Sequence, residues 1–239
     1  MQIFPNSSLH KSFRHHSKAK KPRDEALKYC QENYIDLAPI RNEQDNLKLM
    51  EIYPKGKDYI WFGLERNLSD KNKWMWSGGG EVTWFFWDKD QPDNRNYEDC
   101  GLINEVGGWH DAYESINIPF FCYKAEVVQE NKTWEEALEY CREQYDDLAS
   151  VASETEMLLI QKELKKHRTT EHVWIGLRFL SRDWLWVDGQ EMDHEAWGQG
   201  GKPSCPDPRM KCAGLQVTGV SQGVWKAHDC EKRLNFICY

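Results

Sequence analysis

The chain has 239 residues and a formal net charge of −8 at pH 7, and 40% of its residues are hydrophobic. This acidic balance argues against a nucleic-acid partner, which is normally met by a basic face. Mean hydropathy is −0.80, and no apolar run approaches the roughly 20 residues of a membrane-spanning helix. We therefore expect no nucleic-acid partner and no membrane insertion by this segment.

Residues 1–22 form a basic segment without any acidic residue. Its cations are Lys11, Arg14, Lys18, Lys20 and Lys21. Such a segment could be read as an organellar transit peptide, but the eight cysteines of the chain favour an oxidising compartment. It also lacks the apolar stretch of a signal peptide. We interpret it as a disordered tail or the truncated edge of a longer secreted protein.

The elements that follow are two helices, short strands and long loops. The first helix is predicted from Arg23 to Tyr34, where apolar residues recur at helical spacing. A second helix starts near Asn42. Short strands are predicted around residues 61–64, which read Trp-Phe-Gly-Leu, and near Cys100 and Cys122.

The same order of elements recurs from residue 125 onward. A helix is predicted from Thr133 to Tyr145, and the capping box Ser153-x-x-Glu156 opens the next. Corresponding landmarks in the two copies are 110 to 116 residues apart. The landmarks are Cys30, Trp61, Trp74, Cys100, Trp109 and Cys122 in copy one, and Cys141, Trp174, Trp184, Cys212, Trp225 and Cys238 in copy two. A repeat of this length is a whole domain, so we predict two α+β domains, at 23–124 and 125–239.

The copies differ ahead of their first helix. Copy two begins with the β-prone residues 125–128, Ala-Glu-Val-Val, whereas copy one has His-His-Ser at residues 15–17. Arg23 also stands where copy two has Trp134. We therefore predict that the first strand of copy one is damaged or missing.

The repeat also suggests how the cysteines pair. A bond from the start to the end of each copy would join Cys30 to Cys122 and Cys141 to Cys238, and a shorter tie would join Cys212 to Cys230. In copy one Glu114 replaces the counterpart of Cys230, which leaves Cys100 and Cys205. These two either form a bond between the domains, or remain free or pair elsewhere.

Taken together, the motifs resemble tandem C-type lectin-like domains of the kind found in mannose-receptor-like proteins. The resemblance extends from about Lys21 to Tyr239. It rests on the helix cysteine, the Trp-[Ile/Phe]-Gly-Leu strand, the Trp-x-Trp pair, the late tryptophan and the terminal cysteine, in order and twice. It implies domains of two helices, short antiparallel strands and a long loop region, tied by disulfides. It also implies recognition, and we expect no enzyme activity.

In this family a Ca²⁺ ion and its protein ligands bind the sugar together, and Ca²⁺ takes roughly 6–8 oxygen ligands. By resemblance, the metal and carbohydrate ligands of copy one are Gln91, Asp93, Glu98 and Asp111, and the Gln-Pro-Asp triplet implies a galactose-type preference. His110 replaces a ligand asparagine, and imidazole is a poor ligand for calcium. We expect His110 to hydrogen-bond a loop carbonyl, which leaves a weak or degenerate calcium site.

Copy two has lost the corresponding residues. Residues 225–227 read Trp-Lys-Ala where the family has Trp-Asn-Asp, and Lys226 would repel a metal ion. We expect calcium in the first copy only.

Two functions follow from these features. The first is an extracellular carbohydrate-binding protein or receptor ectodomain that binds a glycan or glycoprotein. The alternative is a calcium-independent protein-interaction module with a protein partner and no sugar. N-x-[ST] sequons at Asn6, Asn67 and Asn131 suit a secreted glycoprotein.

Overall fold

The computed structural model describes residues 14–239 except 193, 205 and 220–222. The chain divides into two compact units on either side of Lys124 and Ala125, here called the first and second domains. Both are α+β, as predicted from the repeat. None of the helices in the described part of the chain combines the length and apolar character that a membrane crossing requires.

The first domain is a seven-stranded sheet with two helices. Its path is β1-β7-β3-β5-β6, with β2 paired to β7 and β4 paired to β3. Asn42 caps the second helix, because its side-chain oxygen accepts a hydrogen bond from the Asp45 amide at 2.9 Å. In chain order the elements are β1 Arg14–Lys21, α1 Arg23–Asn33, β2 Asp36–Leu37, α2 Glu43–Glu51, β3 Tyr59–Arg66, β4 Trp74–Trp76, β5 Cys100–Asn104, β6 Trp109–Ala112 and β7 Ile118–Tyr123.

The second domain repeats this plan with the path β12-β11-β9-β13-β8 and β10 paired to β9. A full capping box opens α3, where Thr133 and Glu136 satisfy each other's backbone amides. Ser153 caps α4 through the Glu156 amide at 3.1 Å. The elements are β8 Glu126–Lys132, α3 Trp134–Gln144, α4 Glu154–Leu164, β9 His172–Leu180, β10 Asp183–Trp186, β11 Cys212–Gln216, β12 Trp225–His228 and β13 Leu234–Cys238.

A first strand is present in copy one, so the expectation that it is missing is wrong, and its pairing is irregular between Ser17 and Lys21. β1 runs over Arg14–Lys21 and pairs antiparallel with β7, with Ser17 opposite Phe120. The carbonyl of Lys21 accepts a hydrogen bond from the buried Trp61 indole at 3.1 Å. The segment has no β-branched residues, yet backbone hydrogen bonds to β7 hold it as a strand because pairing depends on the partner as well as on propensity.

Within the described ranges, three disulfides tie the elements together. Cys30–Cys122 and Cys141–Cys238 join the first helix of each domain to its last strand, and Cys212–Cys230 closes a shorter loop. Cys100 is a buried free thiol, and burial raises its pKa to about 12. Cys205, the other half of the suggested interdomain bond, lies outside the described residues.

Candidate functional site

The candidate site lies in the first domain, where the long loop before β5 meets β6. The loop contains a cis peptide bond between Gln91 and Pro92. The Gln91 side-chain oxygen accepts a hydrogen bond from the Asp111 amide at 3.2 Å. This contact joins the loop to the strand that carries the last predicted ligand.

Three of the four predicted ligands are carboxylates, and these three lie close together. Oxygen atoms of Asp93, Glu98 and Asp111 lie within 4.8 Å of one another. Asp93 is exposed, Glu98 is half-buried and Asp111 is buried. Partial burial, followed by the negative charges of Asp111 and Asp93, raises the pKa of Glu98. The pattern is that of an acidic cluster whose charge is incompletely balanced by protein groups.

Asp111 is the most constrained member of this cluster. One of its carboxylate oxygens accepts a hydrogen bond from the Asp93 amide at 2.9 Å, and the other accepts one from the Asn94 amide at 3.2 Å. The second oxygen also lies 3.2 Å from the Arg66 guanidinium. These bonds hold the carboxylate in place beside the loop.

Arg66 is a functional candidate that the sequence reasoning missed. Its side chain is 3% exposed and lies 4.1 Å from the Trp74 ring centroid. The guanidinium donates to the backbone oxygens of Glu98 at 3.0 Å and Lys71 at 3.1 Å. It therefore ties three segments together around the acidic cluster. No motif marks this arginine, since its partners are up to 45 residues away.

His110 stands apart from the cluster. Its Nε2 atom is 3.2 Å from an Asp88 carboxylate oxygen and 3.3 Å from the Asn104 amide nitrogen. The expected partner, a loop carbonyl, is thus corrected to a carboxylate and an amide side chain. His110 and Asp111 are successive residues of β6, so their side chains leave opposite faces of the strand. This geometry directs only Asp111 toward the acidic cluster.

An exposed aromatic ring adjoins the cluster. Tyr113 is 46% exposed, and its hydroxyl accepts a hydrogen bond from the Asn94 side chain at 3.1 Å. The backbone amide of Asn94 also donates to Asp111. Asn94 therefore links the Tyr113 ring to the acidic cluster. The sequence reasoning did not select Tyr113, which follows the ligand motif without belonging to it.

The described residues of the second domain form no such cluster at the corresponding position. Residues 225–228 form β12 and pair with β11, with Lys226 opposite Gly214. Among the described residues, the group of side chains that could hold a metal ion lies in the first domain. Lys226 and Ala227 instead line an open cavity.

Comparison with known proteins matches this architecture to one family. The model of the Lectin C-type domain matches twice, over residues 19–124 and 130–239. The chain belongs to the C-type lectin domain family. The members it resembles are receptors and binding proteins rather than enzymes, which confirms the prediction of a recognition protein.

Two relatives and one solved structure illustrate the similarity. C-type mannose receptor 2 of Rattus norvegicus is 26% identical over 90% of this chain, and the secretory phospholipase A2 receptor of Oryctolagus cuniculus is 24% identical over 89%. The chain spans 16% of the length of each of these relatives. The carbohydrate-recognition domain of the mouse scavenger receptor C-type lectin is 25% identical, with a TM-score of 0.43, over 46% of this chain and 86% of that one.

Proposed function

We propose that this chain is a carbohydrate-recognition protein whose first domain holds Ca²⁺ through Gln91, Asp93, Glu98 and Asp111. The observation that carries the proposal is the convergence of the Asp93, Glu98 and Asp111 oxygens within 4.8 Å of one another. Calcium prefers hard oxygen donors from carboxylates and side-chain amides. The donor set is therefore chemically suited to this ion.

The charge around the cluster supports a divalent cation. The three carboxylates carry one negative charge each, and the Arg66 guanidinium beside Asp111 offsets one of them. A fourth carboxylate, Asp99, also lies 3.2 Å from Arg66, and Lys71 offsets its charge. Two negative charges remain, which Ca²⁺ would balance. The raised pKa of Glu98, caused by partial burial and by Asp111 and Asp93, agrees with this surplus.

The same geometry argues for weak binding. His110 bonds to Asp88 and contributes no oxygen. Both oxygens of Asp111 already accept hydrogen bonds, one from the Asp93 amide and the other from Arg66 and the Asn94 amide, and the Gln91 oxygen accepts one from the Asp111 amide. Fewer available ligands lower calcium affinity, and extracellular modules bind at a Kd of about 10⁻⁴–10⁻³ M. We expect a dissociation constant in that range.

Sugar recognition would follow from the bound ion. Calcium would offer open coordination positions to two vicinal sugar hydroxyls, as in the family that the chain resembles. Gln91 and Glu98 would orient those hydroxyls as hydrogen-bond partners, and the exposed Tyr113 ring offers an apolar surface nearby. The Gln-Pro-Asp triplet favours galactose-type sugars.

The test is calorimetric titration of Ca²⁺ into the oxidised, folded chain, followed by a galactoside titration with calcium and with a chelator. We expect binding of one ion that Asp93→Asn weakens at least tenfold, and galactoside binding only when calcium is present. Glu51→Gln, which removes an exposed carboxylate from α2, is the control and should bind as wild type. No calcium binding up to 10 mM, about ten times the weakest expected Kd, would refute the proposal.

We further propose that the chain works outside the cell, as a secreted glycoprotein or a receptor ectodomain. Three disulfides are typical of an oxidising environment. Asn67 and Asn131 lie in N-x-[ST] sequons, and Asn131 is exposed. Asn6 lies outside the described residues.

The alternative is a protein-interaction module that needs no calcium. The observation that favours it is Lys226, a cation at the second-domain position where the first domain has its ligand strand. Binding of a protein partner that persists in a chelator and survives Asp93→Asn would support this alternative.

A further inference from the structure

The second domain contains a cavity with a chemistry of its own. It measures about 520 Å³ and is lined by Trp197, Gly200, Gly201, Gln216, Trp225 and Lys226 among others. Cavities of about 300–1,000 Å³ are the usual size for small-ligand sites. The described lining residues include no carboxylate, so the cavity is unlike the acidic cluster of the first domain.

The lining of the cavity includes open glycine backbone and two tryptophans, of which Trp197 is half-buried and Trp225 is 1% exposed. Gly200 and Gly201 have φ values of +111° and +73°, and a Cβ built on either would meet no atom within 4 Å. The Trp197 and Trp225 rings meet edge to face, with centroids 5.7 Å apart. Of the two tryptophans, Trp197 therefore provides the aromatic surface that a flat or ring-shaped ligand can contact.

Lys226 supplies a positive charge that the described protein does not neutralise. It is exposed and has no ion-pair partner among the described residues. The contrast is Lys202, whose ammonium lies 3.0 Å from both Asp183 and Glu195. A lysine without a carboxylate at the edge of a cavity can pair with an anionic ligand at little cost.

Two amide side chains add neutral hydrogen-bonding capacity. Gln216 lines the cavity, and its amide nitrogen donates to the Thr218 carbonyl at 3.0 Å. Gln199 lines the same cavity and is exposed. A complementary ligand would have hydroxyls that bond to the amides, an apolar ring face that packs on the indole and an anionic group that pairs with the ammonium.

We propose that this cavity binds a carboxylated sugar without calcium, with Lys226 paired to the carboxylate and Trp197 under the ring. A sugar satisfies all three features, because it combines hydroxyls with an apolar ring face. An acidic peptide also carries carboxylates but lacks a ring that presents hydroxyls beside an apolar face, and it enters the experiment below as the competing ligand. The site is independent of the calcium cluster, since none of its lining residues belongs to the first domain.

The experiment is a titration of the full oxidised chain with glucuronic acid and with N-acetylneuraminic acid in the presence of a calcium chelator. Calorimetry or ligand-observed NMR monitors the binding. Galactose serves as the uncharged sugar and a glutamate-rich peptide as the other carboxylate source. We expect saturable binding of a carboxylated sugar that Lys226→Gln weakens about tenfold or more, the usual loss for a hydrogen bond to a charged group.

Three controls make the outcome decisive. Lys232→Gln removes the same charge from an exposed position of the second domain outside the lining and should bind as wild type. Asp93→Asn should also leave this binding unchanged, so that failure of the calcium site can be distinguished from failure of the second-domain cavity to bind. The proposal is overturned if no carboxylated sugar binds, if Lys226→Gln binds equally well, or if the peptide binds and the sugars do not.

Discussion

Corresponding residues in the two domains show how a changed core position is compensated. In the second domain Trp134 is fully buried, its indole donates to the Ile175 carbonyl at 2.9 Å, and the Arg178 guanidinium lies 4.9 Å from its ring centroid. In the first domain Arg23 replaces the tryptophan and Glu65 replaces the arginine. The Arg23 guanidinium donates to the Glu65 carboxylate at 2.5 Å. The second-domain arginine thus combines a cation–π contact with an ion pair to Glu135 at 2.9 Å, whereas the corresponding first-domain positions form an ion pair with each other.

This difference predicts that a second substitution restores the stability that a first one removes. Glu65→Arg alone should destabilise the first domain by about 2–4 kcal/mol, somewhat less than a fully buried pair, because the Arg23 side chain is 5% exposed but that of Glu65 is 37% exposed. Adding Arg23→Trp should recover much of this loss by restoring the pair of the second domain. Hydrogen exchange of first-domain peptides in the full chain measures both effects.

The matched control for this pair is Glu32→Arg, which alters an exposed ion pair with Lys28 on α1. Exposed pairs of this kind are worth at most about 0.5 kcal/mol. A double variant less stable than either single variant would contradict the proposed compensation.

Among the secondary-structure elements, β1 has the weakest intrinsic signal and an important partner. It pairs with β7, which also pairs with β3 and β2, and β7 carries the disulfide to α1 through Cys122. Without β1, the amides of β7 that bond to it would be open to solvent and the buried Trp61 indole would lose the Lys21 carbonyl. An edge of this kind is also prone to pair with other chains.

Removal of residues 1–21 therefore tests the role of this strand. We expect the first domain to lose on the order of 3–5 kcal/mol, at about 1 kcal/mol for each backbone hydrogen bond, with faster amide exchange in β7. The β8 and β13 amides of the second domain are an internal control in the same molecule and should exchange as before. Unchanged protection of β7 would show that β1 contributes little to stability.

At the scale of the whole molecule, the two domains differ in buried histidine. His172 and His228 lie with ring centroids 4.5 Å apart and are 4% and 6% exposed. Burial lowers the pKa of both, and for His228, where His172, Lys232 and Lys226 add repulsion, the pKa falls to about 3. The first domain has Tyr59 and Ala112 at the corresponding positions.

This difference predicts that the histidine pair makes the second domain lose stability in acid. A histidine whose pKa is lowered by folding is neutral in the native state and protonated in the unfolded state below pH 6.5, so stability falls as the pH drops. For His228 the loss should be about 1.4 kcal/mol per pH unit between pH 6.5 and 3. Hydrogen exchange against pH, compared for each domain, measures this slope.

His228→Phe keeps an aromatic ring but removes the titrating nitrogen, so it should flatten the slope of the second domain. The first domain, which lacks the pair, provides the internal control and should not share the loss assigned to these histidines. An equal slope in wild type and His228→Phe would exclude His228 as its source.

Signals that are local in the chain predicted much of this structure. Apolar spacing placed the first helix of each domain, and Asn42 and Ser153 marked the starts of the second helices. The order of cysteines and tryptophans established two related domains. Such features depend on neighbours within a few residues or on a repeat, so they are visible without coordinates.

What only the tertiary structure decided involves residues far apart in the chain. The pairing of β1 with β7 overrides a weak strand propensity. The alternation of β6 sends His110 to Asp88 and Asp111 to the acidic cluster, and Arg66 reaches that cluster from the end of β3. The sequence by itself determined the family, the helices and the acidic residues of the loop. Their charge balance and the cavity beside Lys226 depended on the folded chain, because both arise from side chains that only the sheet brings together.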